Sequence, residues 1–194
     1  MMDEGYIKFR AEWKKSPALE SENLRDLIYF RQELYQSSLI GAYPDGIGYG
    51  NISQRLRDWD DFVISGSTTG NLAQLNENHF ARVNGVDIEQ NTLFCEGPII
   101  ASSESMTHAA VYKSSGEISA VIHVHSMDLW KKHLFKLPTT AEDIPYGTPE
   151  MARAVYTLCQ SLGDRGIIIM AGHQEGIISF APNLMEAHEL LQTL

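Results

Sequence analysis

The 194-residue chain sets 25 acidic side chains against 15 basic ones, a formal charge of −10, and 43% of its residues are hydrophobic. That length and apolar share suit one domain with a substantial core, and the acidic balance argues against nucleic acid or an anionic membrane as main partner, because both demand clustered lysine and arginine. No apolar run approaches the roughly eighteen residues of a membrane span, the N-terminus lacks the basic-then-apolar profile of a secretion signal, and two lone cysteines, Cys95 and Cys159, fit a reduced, cytoplasmic protein.

Residues 1–20 mix Phe9 and Trp13 with Lys14-Lys15-Ser16-Pro17 and read as a short N-terminal arm, with one domain over 21–194. Leu24, Leu27, Ile28, Arg31, Leu34 and Tyr35 recur at helical spacing over 21–40, with Ser21 as the expected N-cap. Four glycines and Pro44 make 41–50 a loop. A strand over 61–65 precedes a polar turn over 66–70, and a second strand over 91–95 is broken by Gly97-Pro98. A serine-capped helix is expected over 102–112, then a strand over 118–125. Thr148-Pro149-Glu150 opens a helix that Leu162-Gly163 ends. Two apolar strands, 166–170 and 176–180, flank a turn carrying His173, and Asn183 with Glu186 forms a capping box for a last helix through about Gln192. Alternating helices and strands predict a single α/β/α layered domain.

The chemistry concentrates at His123-Val124-His125. Alternation along a strand puts Val121, His123 and His125 on one face, so two imidazoles stand side by side at a strand end, as a divalent metal requires of two ligands. Two ordinary buried histidines would look the same. Glu104 and His173, each beside a strand or helix start, complete a set of four candidate metal ligands. Ser102-Ser103 at a helix start can cradle an anion through hydroxyls and backbone amides, and the small-residue turns Gly50-Asn51 and Thr69-Gly70 are of the same kind. Their plainer reading is a helix cap and two tight turns.

In order along the chain stand Gly50-Asn51-Ile52-Ser53, the stretch Ile64-Ser65-Gly66-Ser67-Thr68-Thr69-Gly70, Ser102-Ser103-Glu104 followed by His108 and Tyr112, His123-Val124-His125, Tyr146-Gly147-Thr148-Pro149-Glu150, and Gly172-His173. Together these resemble the class II aldolase/adducin family over residues 22–193. The resemblance implies a three-layer α/β fold with a central, largely antiparallel sheet, assembled as a homotetramer with sites near subunit interfaces. It implies zinc on His123, His125 and His173, with Glu104 as the acid/base that also ligates the metal when no substrate is bound. It matches Gly50, Asn51, Thr69, Gly70, Ser102 and Ser103 to segments that hold substrate phosphate. The reaction implied is reversible aldol cleavage of a small ketose 1-phosphate, its developing charge held as an enediolate while Glu104 handles the proton. Relatives on the same scaffold epimerise pentulose phosphates or dehydrate methylthioribulose 1-phosphate, and the adducin branch is a non-catalytic assembly module.

The chain departs from the family pattern after the late strand, where His173-Gln174-Glu175-Gly176 replaces His-Gly. Glu175 there either adds a carboxylate or faces solvent, and solvent is the expectation. The stretch between Leu134 and Tyr146 is short, and no residue matches the family's C-terminal tyrosine. His108 is expected to be a packed structural histidine and Tyr112 core; His79, His133 and His188 receive no role, and both cysteines read as buried thiols.

Overall fold

The computed structural model describes residues 6–20, 22, 24–56 and 61–194. Among them an eight-stranded sheet runs in the order β1 (Arg10–Lys15), β7 (Thr92–Gly97), β6 (Phe80–Asp87), β5 (Phe62–Ser65), β4 (Asn51–Arg55), β8 (Ala120–His125), β10 (Gly176–Ala181), β9 (Gly166–Ile169). Every neighbouring pair is antiparallel except β1 with β7. A small ribbon of β2 (Gly41–Ala42) and β3 (Gly48–Tyr49) precedes β4.

β8 shows why the domain is layered. All six of its residues are buried, and a strand covered on both faces needs apolar side chains on both. Ala120, Ile122 and Val124 pack with Leu27 and Leu34 of α1 (Arg25–Gln36) and with Leu184 and Leu191, which belong to α5 (Leu184–Gln192). Val121 turns the other way, into a cluster with Met106 and Ala110 of α2 (Ser105–Ser114) and Val155 and Cys159 of α4 (Pro149–Leu162). The fold is thus the α/β/α sandwich with a largely antiparallel sheet that the sequence predicts. A short α3 (Met127–His133), capped by the Ser126 hydroxyl, follows β8. Among the described residues no helix is long and apolar enough to cross a membrane.

Local differences from the sequence reading have local causes. Residues 10–15, read as part of an arm, pair in register with 92–97 as an edge strand. α1 begins at Arg25 with Leu24 in the cap position and no side-chain cap, and the capping role expected of Ser21 lies outside the described residues. α2 has no serine cap: Glu104 occupies that position, and Ser102 closes the preceding turn, accepting from Glu104 N at 3.3 Å while its carbonyl accepts from Ser105 Oγ at 2.7 Å. The caps expected of Thr148 and Asn183 form, with Met151 N and Glu186 N donating at 3.2 and 2.9 Å.

Candidate metal centre

β8 runs out of apolar residues at its C-terminal end, where His123 pairs across the sheet with Asn51 on one side and Ile178 on the other, and His125 pairs with Gly176. The turn between β9 and β10 folds back over this end and carries His173. The three imidazole centroids form a near-equilateral triangle with sides of 4.9, 5.1 and 4.8 Å. One nitrogen from each ring lies within 4.8 Å of the others. All three side chains are buried. Gly176 makes this packing possible: a methyl at its Cα would stand 3.2 Å from both His123 Cε1 and His173 Cγ.

Protonation and tautomers follow from the surroundings. Burial, reinforced by the neighbouring imidazoles, holds His123 and His125 well below the ordinary histidine value, so both are neutral near pH 7. His123 Nδ1 lies 3.2 Å from the Ile177 carbonyl, which can only accept, so Nδ1 carries the proton. The Tyr43 hydroxyl lies 2.8 Å from His125 Nδ1 and donates to Glu175 Oε2 at 2.9 Å. With its one proton given to the carboxylate, Tyr43 accepts from His125, which again puts the proton on Nδ1. Both Nε2 atoms therefore present lone pairs, and they face each other at 3.1 Å. Two lone pairs at that distance repel unless a cation lies between them. Three imidazoles gathered this closely fit a divalent transition metal such as zinc, with room in its coordination for a further ligand.

Aromatic rings fix the imidazoles from outside. Tyr49 stacks on His125 at 5.4 Å and 22°, and Tyr146 on His173 at 4.3 Å and 20°, with the Lys8 ammonium 3.8 Å above the Tyr146 ring. A cavity of about 420 Å³ opens onto His125, and Tyr43, Tyr49 and Glu175 are among its lining residues.

Glu104 is buried at the head of α2, its Oε2 accepting from Thr107 Oγ1 at 3.1 Å, and it stands outside the cluster of mutually close donors that the histidines form. The segments that carry the six expected phosphate contacts are tied to one another. An isolated antiparallel bridge between Gly66 and Ala101, with Ser67 N donating to Ile100 O at 2.9 Å, ties the segment that leads into Thr69 and Gly70 to the one that leads into Ser102 and Ser103. Gly70 packs on the ribbon that leads into Gly50 and Asn51, so closely that a methyl there would lie 2.6 Å from Gly41 O and 2.8 Å from Tyr49 N. Asn51, Thr69, Ser102 and Ser103 are all buried, and Asn51 Oδ1 has no hydrogen-bond partner among the described residues.

Sequence patterns pass over several residues around this centre. Arg31, placed by periodicity on the buried face of α1, spends its guanidinium on the carbonyls of Thr69 (2.9 Å), Gly70 (3.2 Å) and Ala73 (3.4 Å). Burial lowers it to about 10, still a cation at neutral pH. Because the C=O and N–H of a peptide unit point opposite ways, the Gly70 and Asn71 amides face away from Arg31. Ser53 joins His108 Nδ1 (2.6 Å) to the Tyr112 hydroxyl (2.7 Å) inside the core, so His108 is a buried, hydrogen-bonded histidine as expected. Glu175 corrects the expectation of a solvent-facing side chain, since it is half-buried and bonded to Tyr43. The signal available was two tyrosines, Tyr43 and Tyr49, inside a glycine-rich segment that has no core to fill.

The structure is similar to L-fuculose 1-phosphate aldolase, with a TM-score of 0.67 and 21% identity over 90% of this chain and 82% of that one. It is equally similar in shape to a sugar-phosphate aldolase from Thermotoga maritima, with a TM-score of 0.67 and 14% identity over 89% of this chain and 90% of that one. In sequence, 80 residues (41% of the chain) are 36% identical to the 3-oxo-tetronate 4-phosphate decarboxylase of Haemophilus influenzae (strain ATCC 51907 / DSM 11121 / KW20 / Rd), and the match spans about a third (34%) of that relative's length. The family model for the class II aldolase and adducin N-terminal domain matches residues 27–194. With that match over nearly the whole chain, on a sandwich of the same architecture, the protein belongs to the class II aldolase/adducin family.

Proposed function

We propose that this protein is a zinc-dependent lyase that cleaves a carbon–carbon bond beside a carbonyl in a small phosphorylated sugar, with aldol cleavage of a ketose 1-phosphate as its reaction. The observation that carries the reading is the triangle of three buried imidazoles, two of them neutral with their Nε2 lone pairs 3.1 Å apart. His123, His125 and His173 would hold the ion. When bound, it supplies Lewis-acid stabilisation of the negative charge that builds on a carbonyl oxygen as the adjacent bond breaks. Glu104, buried at the start of α2 and held by Thr107, would serve as the acid/base that moves the proton at the reacting carbon, while its place outside the histidine cluster leaves the metal to the three imidazoles. Gly50, Asn51, Thr69, Gly70, Ser102 and Ser103 hold the phosphate. Support comes from the ties between their segments, from the Asn51 amide, which turned over would offer its NH₂ to an anion, and from the outward amides of the loop that Arg31 grips.

The Haemophilus influenzae relative favours a second reaction on the same site, loss of carbon dioxide from a phosphorylated 3-oxo acid. Both reactions leave charge beside a metal-polarised carbonyl, so they differ in the substrate's far end rather than in the histidines. A homotetramer and a cytoplasmic location accompany the proposal, the latter supported by two free, buried cysteines.

The test is metal content of the purified protein beside the His123→Ala variant, followed by a panel of ketose 1-phosphates and 3-oxo-acid phosphates on the metal-loaded form. About one ion per chain, lost in the variant, with dihydroxyacetone phosphate released, is the expected result. Dihydroxyacetone phosphate is a product of either reaction, so its co-product decides: an aldehyde from a ketose 1-phosphate selects the aldolase, carbon dioxide from a 3-oxo-acid phosphate selects the decarboxylase, and a protein that binds no metal would overturn both.

A further inference from the structure

We infer that Tyr43 and Glu175 are positioning residues for the metal donor His125, a role that rests on the metal-site reading above. The contact runs from the Glu175 carboxylate through the Tyr43 hydroxyl to His125 Nδ1 in two hydrogen bonds of 2.9 and 2.8 Å. It holds the proton on Nδ1, turns Nε2 toward His123 and His173, and feeds negative charge toward the ring, which raises the donor strength of Nε2. The partners come from separate segments, the loop of the β2–β3 ribbon and the turn between β9 and β10, and both are tied down beside the histidine. Ser126 N, next to His125, donates to the Glu175 carbonyl at 3.1 Å, and His125 N donates to Leu39 O at 3.0 Å, just before the ribbon.

The backbone gives independent support. Glu175 has φ of +70°, the left-handed region in which glycine is at ease and a residue with a side chain is strained. A glutamate kept at that position, with its carboxylate on a tyrosine that touches a candidate ligand, is a side chain held for its contact rather than for the turn. Tyr43, Glu175 and His125 also line the same cavity, so the contact stands at the mouth of the site.

The experiment uses the full chain with zinc and cobalt(II) as probes. Affinity is read by competition with a chromogenic chelator, ligand geometry by the visible spectrum of the cobalt form, and folding by thermal denaturation of the metal-free protein. Tyr43→Phe and Glu175→Ala are each expected to weaken zinc by about 10- to 100-fold, with a changed cobalt spectrum and an unchanged metal-free melting temperature. Glu175→Gln, which keeps an acceptor for the hydroxyl, should recover part of the loss. The double variant should bind no more weakly than Tyr43→Phe alone, because Glu175 acts through the tyrosine. Zinc binding within twofold of wild type in Tyr43→Phe would overturn the inference and leave the metal site standing. A wild-type protein that binds neither ion would overturn the metal-site reading and this inference with it.

Discussion

Replacing Ser53 by alanine would strand two buried groups at once. Its hydroxyl is shared by His108 Nδ1 at 2.6 Å and Tyr112 OH at 2.7 Å, and both residues are buried. Leaving buried polar atoms unpaired costs about 1–3 kcal/mol each, less what relaxation recovers, so Ser53→Ala should lose on the order of 2–4 kcal/mol in urea denaturation. A loss below about 0.5 kcal/mol would show that the three groups are not joined in solution. Arg31 makes the same argument for a charge. Arg31→Met removes the donor to three carbonyls and should cost about 2–4 kcal/mol. Arg31→Lys keeps the charge but not the planar fork, so it should rescue only part of that stability. If the loop cradles phosphate, both variants should raise KM for a phosphorylated substrate more than they lower kcat. Residues such as these were legible only in kind: Arg31 falls on the buried face of a helical pattern, but nothing in the pattern says that its partners lie 38 to 42 residues away.

At the scale of elements, those with strong local chemistry could be read directly. Proline at the first turn, a capping threonine and a terminal glycine bound α4 as expected, because each satisfies or removes an orphan backbone group locally. Thr148→Ala should therefore cost about 1 kcal/mol in denaturation, with the fold intact by circular dichroism, and no change in stability would remove the cap from the account. β4 and β6 were not legible, for opposite reasons. β4 offers a single apolar residue in Asn-Ile-Ser-Gln-Arg; its inward polar side chains are satisfied by tertiary partners, Ser53 by α2 and Arg55 by the carbonyls of Tyr112, Ser115 and Ile118. β6 contains Asn84-Gly85, a pair that favours a tight turn, yet the sheet absorbs it as a bulge between Val83 and Gly85. Residues 10–15 look like an arm because five of the six are exposed; an edge strand needs a partner's backbone more than a core.

The whole molecule carries a consequence for pH. Burial drops His108 to about 3 from an ordinary 6.5, so it stays neutral in the folded protein while the unfolded chain takes up a proton. Its folded value is depressed, and the stability it contributes is present above about pH 6.5 and is lost as pH falls from there toward 3. The slope for one such proton is about 1.4 kcal/mol per pH unit. Denaturation midpoints measured between pH 7 and 4 should fall accordingly. His123 and His125, also depressed by burial, add to the slope in the same sense, so His108→Asn, which keeps an amide toward Ser53, should lower it by about 1.4 kcal/mol per pH unit, and an unchanged slope would mean that His108 does not contribute.

The sequence by itself determined the layered α/β class, the unbroken apolar strand ending in His123-Val124-His125, and the caps of α4 and α5. Each of these follows from alternation, periodicity or chemistry within a few residues, where the chain's own geometry sets what can face what. Only the tertiary structure decided which separate segments meet: His173 with the β8 pair, Gly66 with Ala101, Arg31 with the carbonyls of Thr69 and Gly70, and Tyr43 between Glu175 and His125. Such contacts span tens of residues, and they exist because a sheet with both faces covered brings its strand ends to one edge. There, polar side chains that no local pattern requires find one another.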